Sequence, residues 1–464
     1  KHSFGAYYKA ARYKDKSRGL LDTEIKTDGL LYQKLHQYQS GIELIEPSYE
    51  ANIYYNGSIK KLSIDFNGDY IQTYKSSYDI QNELNGRDDD RIVCTSSTNK
   101  NRLLAEKLMI AYPLWNGTIE VGEEYTNSHV NYHSYYTGVD ITGGDTKIKE
   151  SNIAAFVQSF QQFGPCRVGL GIRFEHVSNI YSSNGQNDPD LSRTYNNWFP
   201  SFSLSCKMKK VELSFNLTSH TRRPSYRQLD GTLQYVNRYS YRIGNPALSP
   251  VERYTAQLMA QWNVFFAQVA YHYEKNSIFY ATERYKEDPL IKLIVFENIP
   301  KYHQLQFVIG AQPTIGWWSP QITVGLYNSF YTTQFIDQKE KLNRPFFFAN
   351  WDNSISLSNN WLIDVDYMFQ TAGNGQNCYI KATSYLNIGV RKSFFNNTLT
   401  LQLKANDIFN VNNERIIMYN GDIKVASDNY HESRNLVLSL RYNFNTSRSK
   451  YRGKGAGLNE KKRL

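Results

Sequence analysis

The sequence predicts an all-β chain, an antiparallel transmembrane wall that closes as a barrel. Three observations carry that expectation. Apolar and polar residues alternate with period two from one end of the chain to the other, while helical periodicity is almost absent. The connections between alternating segments switch in strict phase between very short and long. Finally, 37 tyrosines, 24 phenylalanines and 7 tryptophans bring the aromatic content to 15%, a surplus of rings with one apolar and one wet end that suits a membrane–water boundary.

The alternation is explicit strand by strand. Val211, Leu213, Phe215 and Leu217 fall on one face, Glu212, Ser214, Asn216 and Thr218 on the other. Trp361, Ile363, Val365, Tyr367 and Phe369 alternate with Leu362, Asp364, Asp366, Met368 and Gln370. Leu399, Leu401 and Leu403 alternate with Thr400, Gln402 and Lys404, and Leu436, Leu438, Leu440, Tyr442 and Phe444 are set against Val437, Ser439, Arg441 and Asn443. Glu212, Asp364, Asp366, Lys404 and Arg441 are therefore expected to line a wet lumen. Paired carboxylates such as Asp364 and Asp366 there set a pore field or pair with cations on adjacent strands.

A β-sandwich would also carry one wet face, so the connections decide. Short turns are expected at Asn56–Ser58, Pro113–Gly117, Gly164–Pro165, Met208–Lys210, near Asn263, at Ile315–Pro320, Ser358–Asn360 and Phe394–Asn397. Between them lie long polar links, roughly 14–46, 76–100, 136–150, 178–196, 221–249, 337–343, 371–376 and 407–433. Outer-membrane barrels keep that phase, with short periplasmic turns and long extracellular loops, and a sandwich has no reason to. Counting gives about 18 strands. Segments such as 264–285 and 290–309 exceed the roughly 9 to 11 residues of a tilted crossing, so strands extend beyond the bilayer on the long-loop side. Trp115, Trp262, Trp317, Trp318 and Trp361 all fall within a few residues of a short turn, where a girdle is expected.

Composition removes several classes. No stretch approaches the roughly 18 apolar residues of a membrane-spanning helix. The chain opens at Lys1 with neither an initiator Met nor a charged-then-apolar leader, so it reads as mature or as a fragment. Its net charge of +10 is concentrated: residues 447–464 hold seven cations against Glu460, leaving only +4 over the preceding 446 residues. The expected organisation is thus a barrel over 1–446 and a basic periplasmic tail over 447–464 that is either solvated or touches anionic lipid and reads no nucleic acid. Four cysteines show no zinc spacing. Cys166 and Cys206 fall at the periplasmic ends of consecutive strands in the outward phase; a cross-strand disulfide is open to them, and two lipid-facing small hydrophobes are the favoured reading.

Three stretches resemble a known family: Tyr54 to Tyr70 (YYNGSIKKLSIDFNGDY), RRPSYRQLDG followed by YSYRIGNPALSPVERYTAQL up to Leu258, and Asn435 to Gly457 (NLVLSLRYNFNTSRSKYRGKGAG). They are similar, in order along essentially the whole chain, to TonB-dependent receptors of Bacteroidetes type. The resemblance implies a twenty-two-stranded barrel closed by an N-terminal plug, importing a large or scarce nutrient with energy delivered by TonB. No plug-like segment or TonB-contacting box is visible in this chain, and about 18 strands are four short. The expectation is an N-terminally incomplete barrel beginning at its fifth strand, with TonB reached through a plug outside this chain and with a surface lipoprotein lid as a further partner.

Candidate ligand contacts concentrate in 221–249: Arg222, Arg223, Tyr226, Arg227, Tyr235, Arg238, Tyr239, Tyr241 and Arg242. Arginine forks pair with carboxylate or phosphate and tyrosine rings stack on flat or sugar groups, so this is either a substrate surface or a set of groups that order a long loop. Asp88, Asp89 and Asp90 lack the spacing of a calcium loop and read as a solvated acidic tip. His129 and His133 lie about 13 Å apart along a strand, too far to share a metal directly. Gly169 and Gly171 lack the rest of a dinucleotide fingerprint. No catalytic constellation is present, and neither an enzyme nor a cofactor is expected. Two further functions compete with transport: a passive pore, and an adhesin or structural surface barrel.

Overall fold

The computed structural model describes residues 2–86, 89–286, 288–335, 338–420, 423–429, 432–444 and 453–464. Strands His2–Thr27, Leu30–Ile59, Leu62–Asn85, Arg91–Leu114, Gly117–Thr137, Gly144–Phe163, Cys166–Ser183, Gln186–Met208 and Val211–Arg222 pair each with the next as an antiparallel meander. The ladder continues through Val251–Trp262, Phe265–Tyr285, Asp288–Ala311, Trp318–Phe335, Phe346–Leu357, Trp361–Gln370, Thr383–Phe394, Leu399–Asn406 and Asn435–Tyr442.

The faces follow the sequence alternation. Leu436, Leu438, Leu440 and Tyr442 are each more than 60% exposed, as only a lipid-facing row can be without penalty. Trp115, Trp262, Trp317 and Trp361 are exposed near the short turns. Seven of those turns stand where the sequence puts them. The first does not: Asn56–Ser58 is still strand, and the chain reverses at Lys60–Lys61, with Ile59 opposite Leu62.

Several links expected as loops are strands. The 14–46 stretch is a tall hairpin reversing at Asp28–Gly29, and 178–196 reverses at Asn184–Gly185. Beyond the bilayer the outer face meets water and the inner face buries polar groups such as Gln33 and Gln37, so the strict apolar alternation weakens while the backbone ladder continues.

The sheet curls strongly. The carbonyl of Val236 accepts from Gln37 in the second strand, while Tyr241 pairs with Leu293 in Asp288–Ala311. Those partners stand roughly ten strand spacings apart, on the order of 48 Å in a flat sheet, yet five residues of chain reach at most about 17 Å. Closure is incomplete: among the described residues no pairing joins His2–Thr27 to Asn435–Tyr442, so the wall has two free edges.

Candidate functional site

The polar face carries the molecule's core, because the segment after Arg222 leaves the ladder and folds inward. Pro224 and Pro250 bracket this excursion, and neither can donate to a sheet. A turn at Ser225–Leu229 (Gln228 N to Ser225 O, 2.9 Å) is closed by Asn245 N donating to Gln228 O at 2.7 Å. Tyr226, Leu229 and Leu248 then pack on Val130, Ile148, Val251, Ile278 and Phe296 from the wall. Its polar groups are tied to both sides: Thr146 Oγ1 donates to Asp230 Oδ1 at 2.8 Å, Gln81 Nε2 to Val236 O at 2.6 Å, and Asn245 Nδ2 to Phe296 O at 2.9 Å. The segment bridges the polar face at the long-hairpin end of the wall.

Most of the predicted contact residues are engaged inside the protein. Arg223 Nη1 meets Glu150 Oε1 at 3.0 Å, and its Nη2 meets Glu460 Oε1 at 2.6 Å. Burial raises the pKa of the Tyr226 hydroxyl, which points at Glu150 from 3.5 Å. Arg238 donates Nε to Glu83 at 3.2 Å and Nη2 to the Asp89 carbonyl at 2.6 Å. Tyr239 accepts from Asn85 Nδ2 at 3.3 Å, and Tyr235, Tyr241 and Tyr285 form a chain of rings with centroids 5.8 and 4.8 Å apart. Arg242 ends a short strand beside Ile294, whereas Arg222 and Arg227 are exposed.

What the sequence misses is the occupant of the polar face. Residues 453–464 are not the solvated tail expected of them. Lys454 Nζ pairs with Asp65 at 2.6 Å, the Lys454 and Gly455 amides donate to Asn67, the Ala456 amide to Asp69, and the Gly457 amide to Glu124 at 3.2 Å. After one helical turn, Leu458–Lys461, Lys461 pairs with Glu50. Arg463 donates to both Glu150 oxygens and, from Nε at 2.9 Å, to the Pro224 carbonyl, with its guanidinium 4.3 Å from the Tyr226 ring centre. Burial opposes that charge, but Glu150 and Tyr226 more than offset it and raise the Arg463 pKa above its ordinary value. Leu464 packs against both buried clusters. The reason is charge: a basic segment beside a face of Asp and Glu gains more by pairing than by staying in water, provided each group is matched.

Of the remaining candidates, Asp364 and Lys404 flank Gly389 from its two neighbouring strands. Asp364 accepts from Ser354 Oγ at 3.2 Å, Asp366 stands across from Asp352, Glu212 across from Lys207, and Lys404 across from Gly389, while Arg441 donates to Asn443 at 2.9 Å. Cys166 and Cys206, favoured above as separate thiols, are joined: they sit directly opposite in register with Cα atoms 4.0 Å apart. Asp88 lies outside the described residues, and Asp90 accepts from the Asn85 amide at 3.0 Å. Among the described residues, no group of three or more His, Cys, Asp or Glu is placed to hold a metal ion.

No curated protein matches this chain. Solved structures share its fold: the copper transporter OprC (TM-score 0.56, 10% identity), the ferric-catecholate import receptor Fiu from K12 E. coli (0.54, 9%) and the FrpB iron transporter from Neisseria meningitidis (0.51, 10%). Each likeness covers 95% of this chain and 80 to 81% of the other. The outer membrane protein beta-barrel family matches residues 56–442, and with the exposed apolar rows, the polar inward face and the alternating turns it gives the conclusion: this chain belongs to that family and resides in the bacterial outer membrane.

Proposed function

We propose that the chain is the barrel wall of a TonB-dependent receptor that takes up a nutrient, as its resemblance to Bacteroidetes-type receptors implies. The observation that carries this reading is the obstructed polar face. The 223–250 segment reaches from Gln37 on one side to Phe296 on the other, and the 453–464 segment runs beneath it. A passive pore needs that path open, whereas a receptor needs it gated. In this reading the two free edges are paired by further strands, because unpaired backbone groups cannot face lipid. A plug outside this chain meets TonB, and a surface lipoprotein covers the long hairpins. Copper, iron and ferric-catecholate cargoes, named for the structural neighbours, are the substrate class to try first.

The test is uptake of labelled iron, ferric siderophore and copper by a deletion strain, complemented with the full-length gene, in backgrounds with and without TonB. Uptake lost on deletion and lost again without TonB supports the receptor. Uptake indifferent to TonB, with rapid swelling of sugar-loaded liposomes, sinks it in favour of the pore.

A further inference from the structure

We propose that residues 453–464 are a built-in strap of the lumen: they fill a carboxylate-lined track on the polar face and hold the 223–250 segment down across the mouth. The track is shaped for a basic segment, and its resident is the chain's own residues 453–464. This holds whether or not TonB drives the barrel.

The contacts climb the wall in order. Asp65, Asn67 and Asp69 lie on one face of Leu62–Asn85, three, five and seven residues beyond its start at the short turn, and they take Lys454, Gly455 and Ala456 in sequence. Glu150, which takes Arg463, is thirteen residues above the short turn that follows Phe163, past the roughly 9 to 11 residues of a tilted crossing. The segment thus enters at the short-turn end and finishes against the long-hairpin end. There it grips the bridging segment at three points: the Pro224 carbonyl, the Tyr226 ring and the Arg223 fork, the last through Glu460.

The seat is specific. Arg463 is 8% exposed and Glu150 4%, so loss of Glu150 would leave Arg463 a buried cation with no carboxylate facing it across this pair. A guanidinium makes two parallel bonds to a carboxylate while stacking on a ring, which an ammonium cannot do. Gly457 stands at φ 61°, and a Cβ there would lie 2.6 Å from that of Ala105, so the backbone passes the wall only as glycine. Asn101 Nδ2 reaches the Leu464 oxygen at 3.4 Å. Removing the strap leaves Glu150, Glu124 and Asp69 without these partners and frees the Tyr226 turn from below.

The experiment uses the full-length protein in outer membranes. Asn101→Cys with Leu464→Cys, bridged by a short bis-maleimide and read as a joined peptide by mass spectrometry, tests the docking while leaving every ion pair in place. Arg463→Ala is then compared with Lys462→Ala, an exposed neighbour, for cleavage after Arg227 by trypsin added to intact cells. The expected result is a joined 101–464 peptide and an approximately tenfold or greater rise in cleavage for Arg463→Ala alone. Absence of the joined peptide overturns the proposal. So does unchanged cleavage in a barrel that still runs as the folded, heat-modifiable band. If Arg463→Ala does not reach the membrane folded, the cross-link by itself decides.

Discussion

Arg463 and Glu150 stand 313 positions apart and meet as a two-pronged pair, with Nη2 2.9 Å from Oε2. The same carboxylate holds Arg223 at 3.0 Å, so one side chain of the wall joins the C-terminal segment to the bridging segment.

Glu150→Gln removes the charge that both arginines share and leaves two buried cations facing an amide. Breaking a buried pair on one side costs about 3 to 5 kcal/mol. The expected outcome is a lower urea midpoint for the detergent-folded barrel, by at least as much as for Arg463→Ala, which leaves Glu150 still paired to Arg223. An unchanged midpoint would mean that the pair contributes nothing.

Gly457→Ala places a Cβ 2.6 Å from Ala105 in a left-handed backbone position. The backbone term alone is about 1 to 2 kcal/mol. Hydrogen exchange at the Ala456 and Gly457 amides should quicken, while that of Leu436–Leu440 should not change.

The lipid row is tested by Leu438→Arg, exposed on the apolar face, against Gln402→Arg on the polar face. A cation at the bilayer midplane costs about 2 to 4 kcal/mol on the lipid side and little on the lumen side. Folding titrations into phospholipid vesicles should separate the two variants; equal loss would refute the facing.

The Cys166–Cys206 bond closes a loop with a sequence separation of 40. Loop-closure entropy for that length is about 4 kcal/mol at most. Paired Cys→Ala variants should lower the unfolding midpoint, and reductant should do the same to the parent barrel while leaving the variants unaffected.

Burial, with Glu414 nearby, pushes the Cys378 thiol up to about 11, and its sulfur donates to Gly375 O at 3.0 Å. The thiol is therefore almost wholly protonated at neutral pH. Iodoacetamide at pH 7.5 should leave Cys378 unmodified in the folded barrel, and labelling should rise by about tenfold per pH unit toward 11 as thiolate forms. Rapid labelling at neutral pH would contradict the burial.

The wall was legible because its signal is local. Period-two alternation assigns Leu436, Leu438 and Leu440 to lipid and Arg441 to the other side without any knowledge of neighbouring strands, and turns such as Trp115–Asn116 and Lys209–Lys210 announce themselves where alternation stops. The hairpin extensions within 14–46 and 178–196 read as loops for a related reason: above the membrane the outer face no longer needs apolar residues, so the local signal weakens while the pairing persists.

The site was less legible, because its decisions are pairwise and distant. Arg223, Tyr226 and Arg238 stood out by type, yet a ligand-facing arginine and one that pairs with its own wall look the same along the chain. The basic character of 447–464 was evident too, and in isolation such a segment is soluble. Sequence by itself determined that this protein is a transmembrane β wall with one lipid face and one wet face, since that depends only on which residues alternate. The tertiary structure decided that the C-terminal segment lies inside the wall, because its stability there depends on Asp65, Asp69, Glu124 and Glu150 converging from three strands to match charges that water would otherwise solvate.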